Sequence, residues 1–90
     1  MKKAVSESSL TLEIVGAEGL RFQAEGITSL NVRMEDGSLL GIRPGHAPLI
    51  GMAAAGFLRF QSEDAWNQEF TDSGVLSVEN NIVRILTTTA

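Results

Sequence analysis

Apolar and polar residues alternate with a period of two along most of this chain. Leu10, Leu12 and Ile14 alternate with Thr11, Glu13 and Val15. Leu30, Val32 and Met34 alternate with Asn31, Arg33 and Glu35. Leu76 and Val78 are interleaved with Val75, Ser77 and Glu79, and Ile82-Val83-Arg84-Ile85-Leu86 is a β-branched run with one charge facing out. A two-residue period places alternate side chains on opposite faces of a strand. The pattern predicts strands near 10–16, 20–24, 27–35, 38–42, 49–53, 57–61, 66–73, 74–79 and 82–87.

Turn residues punctuate these runs. Asp36-Gly37 and Asn80-Asn81 read as hairpin turn pairs, because Asp, Asn and Gly tolerate positive φ. Gly16 to Gly19, Glu25-Gly26, Ala55-Gly56, Ser62-Glu63-Asp64 and Ser73-Gly74 mark further corners. Met52-Ala53-Ala54-Ala55 is the only helix-friendly stretch, and Gly51 and Gly56 bracket it. Many short antiparallel strands at this spacing read as an all-β sandwich or barrel. Residues 1–8 read as a frayed tail and 9–90 as one domain. Phe57 and Phe60 fall on opposite faces, one for the core and one for an outer patch. Trp66 and Phe70 share a face and read as core.

Composition narrows the functions. Ninety residues bury enough surface for one modest core. The chain has no cysteine, which excludes disulfides and thiolate metal sites. A net charge of -4 argues against nucleic acid as a partner, since phosphate binding needs a basic face. No run approaches the ~20 apolar residues of a membrane helix, and the basic start leads into no signal peptide. Membrane association is therefore expected only indirectly, through a partner.

The candidate chemistry centres on Gly41-Ile42-Arg43-Pro44-Gly45-His46-Ala47-Pro48-Leu49-Ile50. It holds both prolines and the single histidine. Proline fixes its own φ and pushes the preceding residue toward extended conformations, so this is a rigid, shaped loop between two strands. Such loops carry binding function. His46 is the one side chain suited to acid–base work near neutrality. A zinc site wants three or four ligands, and the chain has one imidazole. The glycines around Arg43 lack the lysine, hydroxyl and following helix of a phosphate loop. No nucleophile, base and oxyanion donors assemble. No catalytic, metal or nucleotide site and no cofactor are expected. The imidazole reads as bonded to its own loop, with its outer side free to touch a partner. A second reading is a small-molecule or metal-binding β-barrel, if folding brings His46 beside Glu35 and Asp36. A third is an adhesive or scaffold sandwich.

In order along the chain, several segments resemble the N-terminal domain of the epsilon subunit of F-type ATP synthases. Leu10 to Val15 resembles its opening strand, and Phe22 the aromatic after the first turn. Gly37 with Leu40 to Ile50 resembles its most specific segment, with His46-Ala47-Pro48-Leu49 the strongest signal. Gly56 precedes the Phe57–Phe60 strand, and Gly74 to Val78 and Asn81 to Leu86 resemble the last two strands. The resemblance implies a flattened β-sandwich of about ten strands. It implies a non-catalytic rotor subunit that binds the gamma subunit and the c-subunit ring, peripheral on the cytoplasmic face of the cell membrane. It implies that Gly45, His46, Ala47, Pro48 and Leu49 face gamma, and that Glu35, Asp36, Gly37 and Ser38 face the ring. Asp36 to Gly41 is one residue longer than the family spacing. The chain ends at Thr87-Thr88-Thr89-Ala90, where the family enters a helical hairpin, so inhibition and nucleotide binding are not carried over.

Overall fold

The computed structural model describes residues 9–87; the tail expected over 1–8 lies outside them. Eight strands follow one another: β1 (Leu10–Gly16), β2 (Gly19–Arg33), β3 (Leu39–Ile42), β4 (Leu49–Ala53), β5 (Gly56–Ser62), β6 (Ala65–Thr71), β7 (Gly74–Glu79) and β8 (Ile82–Thr87). The bounds of β1, β4, β7 and β8 match the sequence expectation. The remaining strands differ by one or two residues, except at β2.

The 20–24 and 27–35 segments are one strand of 15 residues, with no corner at Glu25-Gly26. Gly26 adopts φ +70°. The register of β2 with β1 slips across it, between Ala24 and Ile27, and the register with β5 slips just beyond it, between Ile27 and Ser29. A left-handed glycine inside a strand is the mark of a bulge, which bends the strand and increases its twist without ending it. The glycine was legible, but bulge and turn use the same residue. This merger accounts for one of the strands missing from the expected ten.

The bend in β2 organises the fold. Its first half pairs with β1, and its second half pairs with β5 on one edge and β3 on the other. The hydrogen-bonded order is β4-β7-β8-β1-β2-β5-β6, with β3 beside β2. One continuous sheet therefore folds over into a flattened β-sandwich. The first layer holds β4, β7, β8, β1 and the start of β2. The second holds β3, the end of β2, β5 and β6. Among the described residues, only β1 and β8 pair in parallel. A bridge between Met34 and Ala53 ties β4 to the end of β2.

The alternating residues meet between the layers. Leu10, Leu12, Ile14, Ile27, Leu30, Val32, Ile42, Leu58, Phe60, Leu76, Val78, Val83 and Ile85 form a single buried cluster. Phe22 packs on Phe60 with ring centroids 6.1 Å apart. Phe60 is in the core and Phe57 is 61% exposed, as their opposite parity required. Trp66 and Phe70 correct the sequence reading. They do share a face, but it is the outer one, and each is 47% exposed. Periodicity assigned them together; only the pairing of Trp66 with Gln61 and Phe70 with Phe57 decides which way they point.

The turns follow residue chemistry. Asn80 and Asn81 have φ of +53° and +64°, and Glu63 and Asp64 +52° and +66°. These are two-residue mirror-image turns, whose twist matches that of the flanking strands. The β2–β3 turn differs from the expected Asp36-Gly37 pair. The Gly37 N–H donates to Met34 O (2.9 Å) and Met34 N–H to Ser38 O (2.8 Å). Glu35 and Asp36 make the turn and Gly37, at φ +91°, closes it as a bulge.

Candidate functional site

The two segments singled out in the sequence lie at opposite ends of β3. The Glu35–Ser38 turn precedes Leu39, and the Arg43–Pro48 loop follows Ile42. β3 alone separates them by roughly 10 Å at the rise of an extended strand. His46 is therefore held away from Glu35 and Asp36, against the condition the metal-binding reading needed. No group of three or more His, Cys, Asp or Glu among the described residues could hold a metal.

Local bonds shape the loop. The His46 N–H donates to Arg43 O at 3.0 Å, closing a turn over Pro44 and Gly45. Gly45 sits at φ +88°, a conformation side chains rarely adopt. His46 Nδ1 lies 2.7 Å from Ala47 O. A carbonyl can only accept, so Nδ1 carries the proton and a neutral ring keeps Nε2 as a free acceptor. This is the self-bonded imidazole expected from the sequence.

One long-range bond was not legible. The Gly45 N–H donates to Asn81 Oδ1 at 2.8 Å, across 36 residues. Asn81 thus serves twice. Its left-handed backbone makes the β7–β8 turn, and its amide oxygen pins the loop. Asn81→Gly keeps the backbone conformation while removing the oxygen. We expect a loss of about 1 kcal/mol in thermal or urea unfolding. Amide exchange at Gly45 should quicken while the core strands stay protected.

The other segment is also braced from within. The Asp36 carboxylate accepts from the Ser38 hydroxyl (2.6 Å) and the Ser38 N–H (2.9 Å). These two bonds, the hydroxyl first, hold its pKa below the ordinary value. Arg33 donates to Gly37 O at 2.9 Å on the same turn. Beside the turn lies an open groove lined by Met34, Leu39, Leu40, Leu49 and Met52.

Between these ends runs a surface the sequence reading did not single out. On the outer face of the first layer, Met52 lies opposite Val75, Val75 opposite Leu86, Leu86 opposite Val15, and Val15 opposite Leu20. Five apolar residues thus form one row across five strands. Ile50, 78% exposed, extends it toward the His46 loop. The parallel row is polar: Arg84 Nε donates to Glu13 Oε1 at 2.8 Å, and Gln23 donates to Glu13 Oε2 at 3.1 Å. Outward apolar residues on β7 and β8 were visible in the sequence as runs apolar on both faces. Their alignment needs the register. Contiguous exposed apolar area of this kind marks interaction surfaces.

Residues 9–90 match the family model described as the beta-sandwich domain of the ATP synthase delta/epsilon chain. The chain is 35% identical over 92 aligned residues to ATP synthase epsilon chain 2 of Photobacterium profundum, covering 100% of this chain and 61% of that protein. It is 34% identical to the ATP synthase epsilon chain of Lawsonia intracellularis, covering 93% of this chain and 62% of that one. The chain therefore spans about three fifths of the length of these relatives. Among solved structures, a chain of the Euglena gracilis mitochondrial ATP synthase superposes with a TM-score of 0.74 at 20% identity, over 89% of this chain and 51% of that one. A chain from the central stalk and c-ring of the Tetrahymena thermophila enzyme gives 0.64 at 10% identity, over 88% and 63%. At those identities the structural likeness speaks for the fold, and the sequence match over nearly the whole chain speaks for descent. Sandwich, ordered strands and glycine–histidine loop thus converge, and the chain belongs to the family of ATP synthase delta/epsilon beta-sandwich domains.

Proposed function

We propose that this domain acts in the rotor of an F-type ATP synthase, as a non-catalytic part of the central stalk joining the gamma subunit to the c-subunit ring. The observation that carries the reading is the separation of two braced surface segments by the length of β3. A coupling element needs two docking surfaces on one rigid body, and a close-packed sandwich deforms little under load. The relatives are epsilon chains, and the solved neighbours come from ATP synthase assemblies that include the c-ring, one of them a central stalk and c-ring, which supports the reading.

In this arrangement Gly45, His46, Ala47, Pro48 and Leu49, continued by the Ile50–Leu20 apolar row, face gamma. Glu35, Asp36, Gly37 and Ser38 face the ring. The sandwich sits with its complex on the cytoplasmic face of the cell membrane and contacts lipid only indirectly. ATP chemistry belongs to other subunits, so the isolated chain neither hydrolyses nor makes ATP.

The test is calorimetric titration with a cognate gamma subunit. The wild-type chain binds, and His46→Ala weakens binding by roughly 1–2 kcal/mol through loss of one interfacial hydrogen bond. Its melting temperature should change little, since the ring bonds only its own loop. No binding by the folded wild-type chain would overturn the proposal.

A further inference from the structure

Strand β6 ends the sheet, and its second edge has no partner strand among the described residues. The turn before it fixes which of its backbone groups face that edge. In a two-residue mirror-image hairpin the residues flanking the turn, here Ser62 and Ala65, exchange hydrogen bonds. Bonded and non-bonded pairs then alternate along an antiparallel ladder. Asn67, Glu69 and Thr71 therefore spend their N–H and C=O groups on β5. Those of Trp66, Gln68 and Phe70 point to the open edge.

We propose that β6 is a self-pairing edge, through which two copies of the free chain associate antiparallel about a two-fold axis at Gln68. The three outward-facing residues are symmetric about that position. The axis places Trp66 opposite Phe70 of the second copy, Gln68 opposite its own equivalent, and Phe70 opposite Trp66. All three become bonded pairs, with no donor left over. An axis at Trp66 or Phe70 would forfeit bonds.

The side chains agree with the backbone. Phe70 already meets Phe57 edge-on at 5.6 Å between ring centroids. The Arg59 guanidinium lies 5.0 Å from the centre of the Trp66 ring. Pairing would continue this aromatic row into the second copy. On the other face, Asn67 would lie opposite Glu69 of the second copy, an amide donor against a carboxylate. No like charges oppose each other. β6 lacks the lysine or proline that commonly blunts an open edge, and its one charge, Glu69, sits on the inner-facing side opposite Leu58. One seven-residue edge gives an interface in the small class, below about 1,200 Å² in total, so the association is weak and reversible. It uses the second layer and is independent of the gamma-facing row on the first.

The test is sedimentation of the 90-residue chain across a range of concentrations, with emission from its single tryptophan. The average mass should rise from 9.6 kDa toward double that value. Trp66 emission should shift to the blue over the same range. Gln68→Glu sets two carboxylates face to face across the axis, yet lies opposite Arg59 within its own hairpin. It should fold normally and weaken association about tenfold or more at low salt, with partial recovery at high salt. Gln68→Pro, tolerable where the N–H faces an open edge, should abolish association. A wild-type chain monomeric throughout would overturn the proposal, as would association that survives Gln68→Glu unchanged. The proposal also fails if the Trp66, Gln68 and Phe70 amides respond only to added gamma subunit, which assigns the edge to that partner. Because the gamma-facing row lies elsewhere, Gln68→Glu should leave gamma affinity unaltered, and the two readings can fail separately.

Discussion

Leu76→Asp is expected to leave the chain unfolded. Leu76 has no exposed surface and lies between Ile85 of β8 and Gly51 of β4 in the first layer. Removing a buried leucine side chain costs about 2–5 kcal/mol by itself. The aspartate must then ionise without a partner or hold a proton well above its usual pKa, and either adds several kcal/mol. Small domains have about 5–15 kcal/mol in total. Far-UV circular dichroism and amide dispersion in NMR should report a collapsed or unfolded chain at neutral pH. Leu76→Ala, lacking the charge, should fold with a lower urea midpoint. If Leu76→Asp melted like the wild type, the assignment of β7 to the core would be wrong.

Gly74→Ala is the second large effect, and it comes from one methyl group. A Cβ at Gly74 would stand 2.2 Å from the Leu86 carbonyl oxygen and 2.8 Å from its carbon. Both are backbone atoms, held by the pairing of β7 with β8 and of β8 with β1. Neither can rotate aside, so β7 must shift away and strain its pairing with β4 as well. Overpacking of side chains costs typically 1–3 kcal/mol. With backbone on the receiving end we expect about 3 kcal/mol or more, a fall in melting temperature of more than about 10 °C. Gly51→Ala is the internal control. Its Cβ would meet only the terminal methyl of Met34, at 2.9 Å. That flexible end can turn away, so the loss should be about 1 kcal/mol or less. Similar losses at the two glycines would mean that β7 can move as freely as a methionine tip.

The two glycines look alike in the sequence, each within a predicted strand. What separates them is the neighbour each one faces, which is set by pairing between distant segments. The same distinction runs through the molecule. The bounds of β1, β4, β7 and β8 are readable because turn or loop residues stop each apolar run at both ends. Gly26 predicts a corner and makes a bulge, because both need a left-handed residue. Trp66 and Phe70 predict core because large apolar side chains usually are buried. Their strand lies on the edge, where no second layer covers the outer face.

The candidate surfaces divide in the same way. The loop around His46 was legible because its shape is local: two prolines, a left-handed glycine and an imidazole that bonds the next carbonyl. The place of the Glu35–Ser38 turn is legible for the same reason, though not its Gly37 bulge. The bond from Gly45 to Asn81 joins residues 36 apart, and no pattern along the chain announces it. The row from Met52 to Leu20 is made of single outward residues on five strands, each unexceptional alone.

The sequence by itself determined the all-β class, most strand and turn positions, the family and the shape of the histidine loop. These rest on local backbone preference and on a two-residue period, both carried by neighbours in the chain. Only the tertiary structure decided which faces are covered, where β2 bends between layers, and which edge stays open. Those depend on register between strands far apart in sequence, where a shift of one residue exchanges the inner face for the outer.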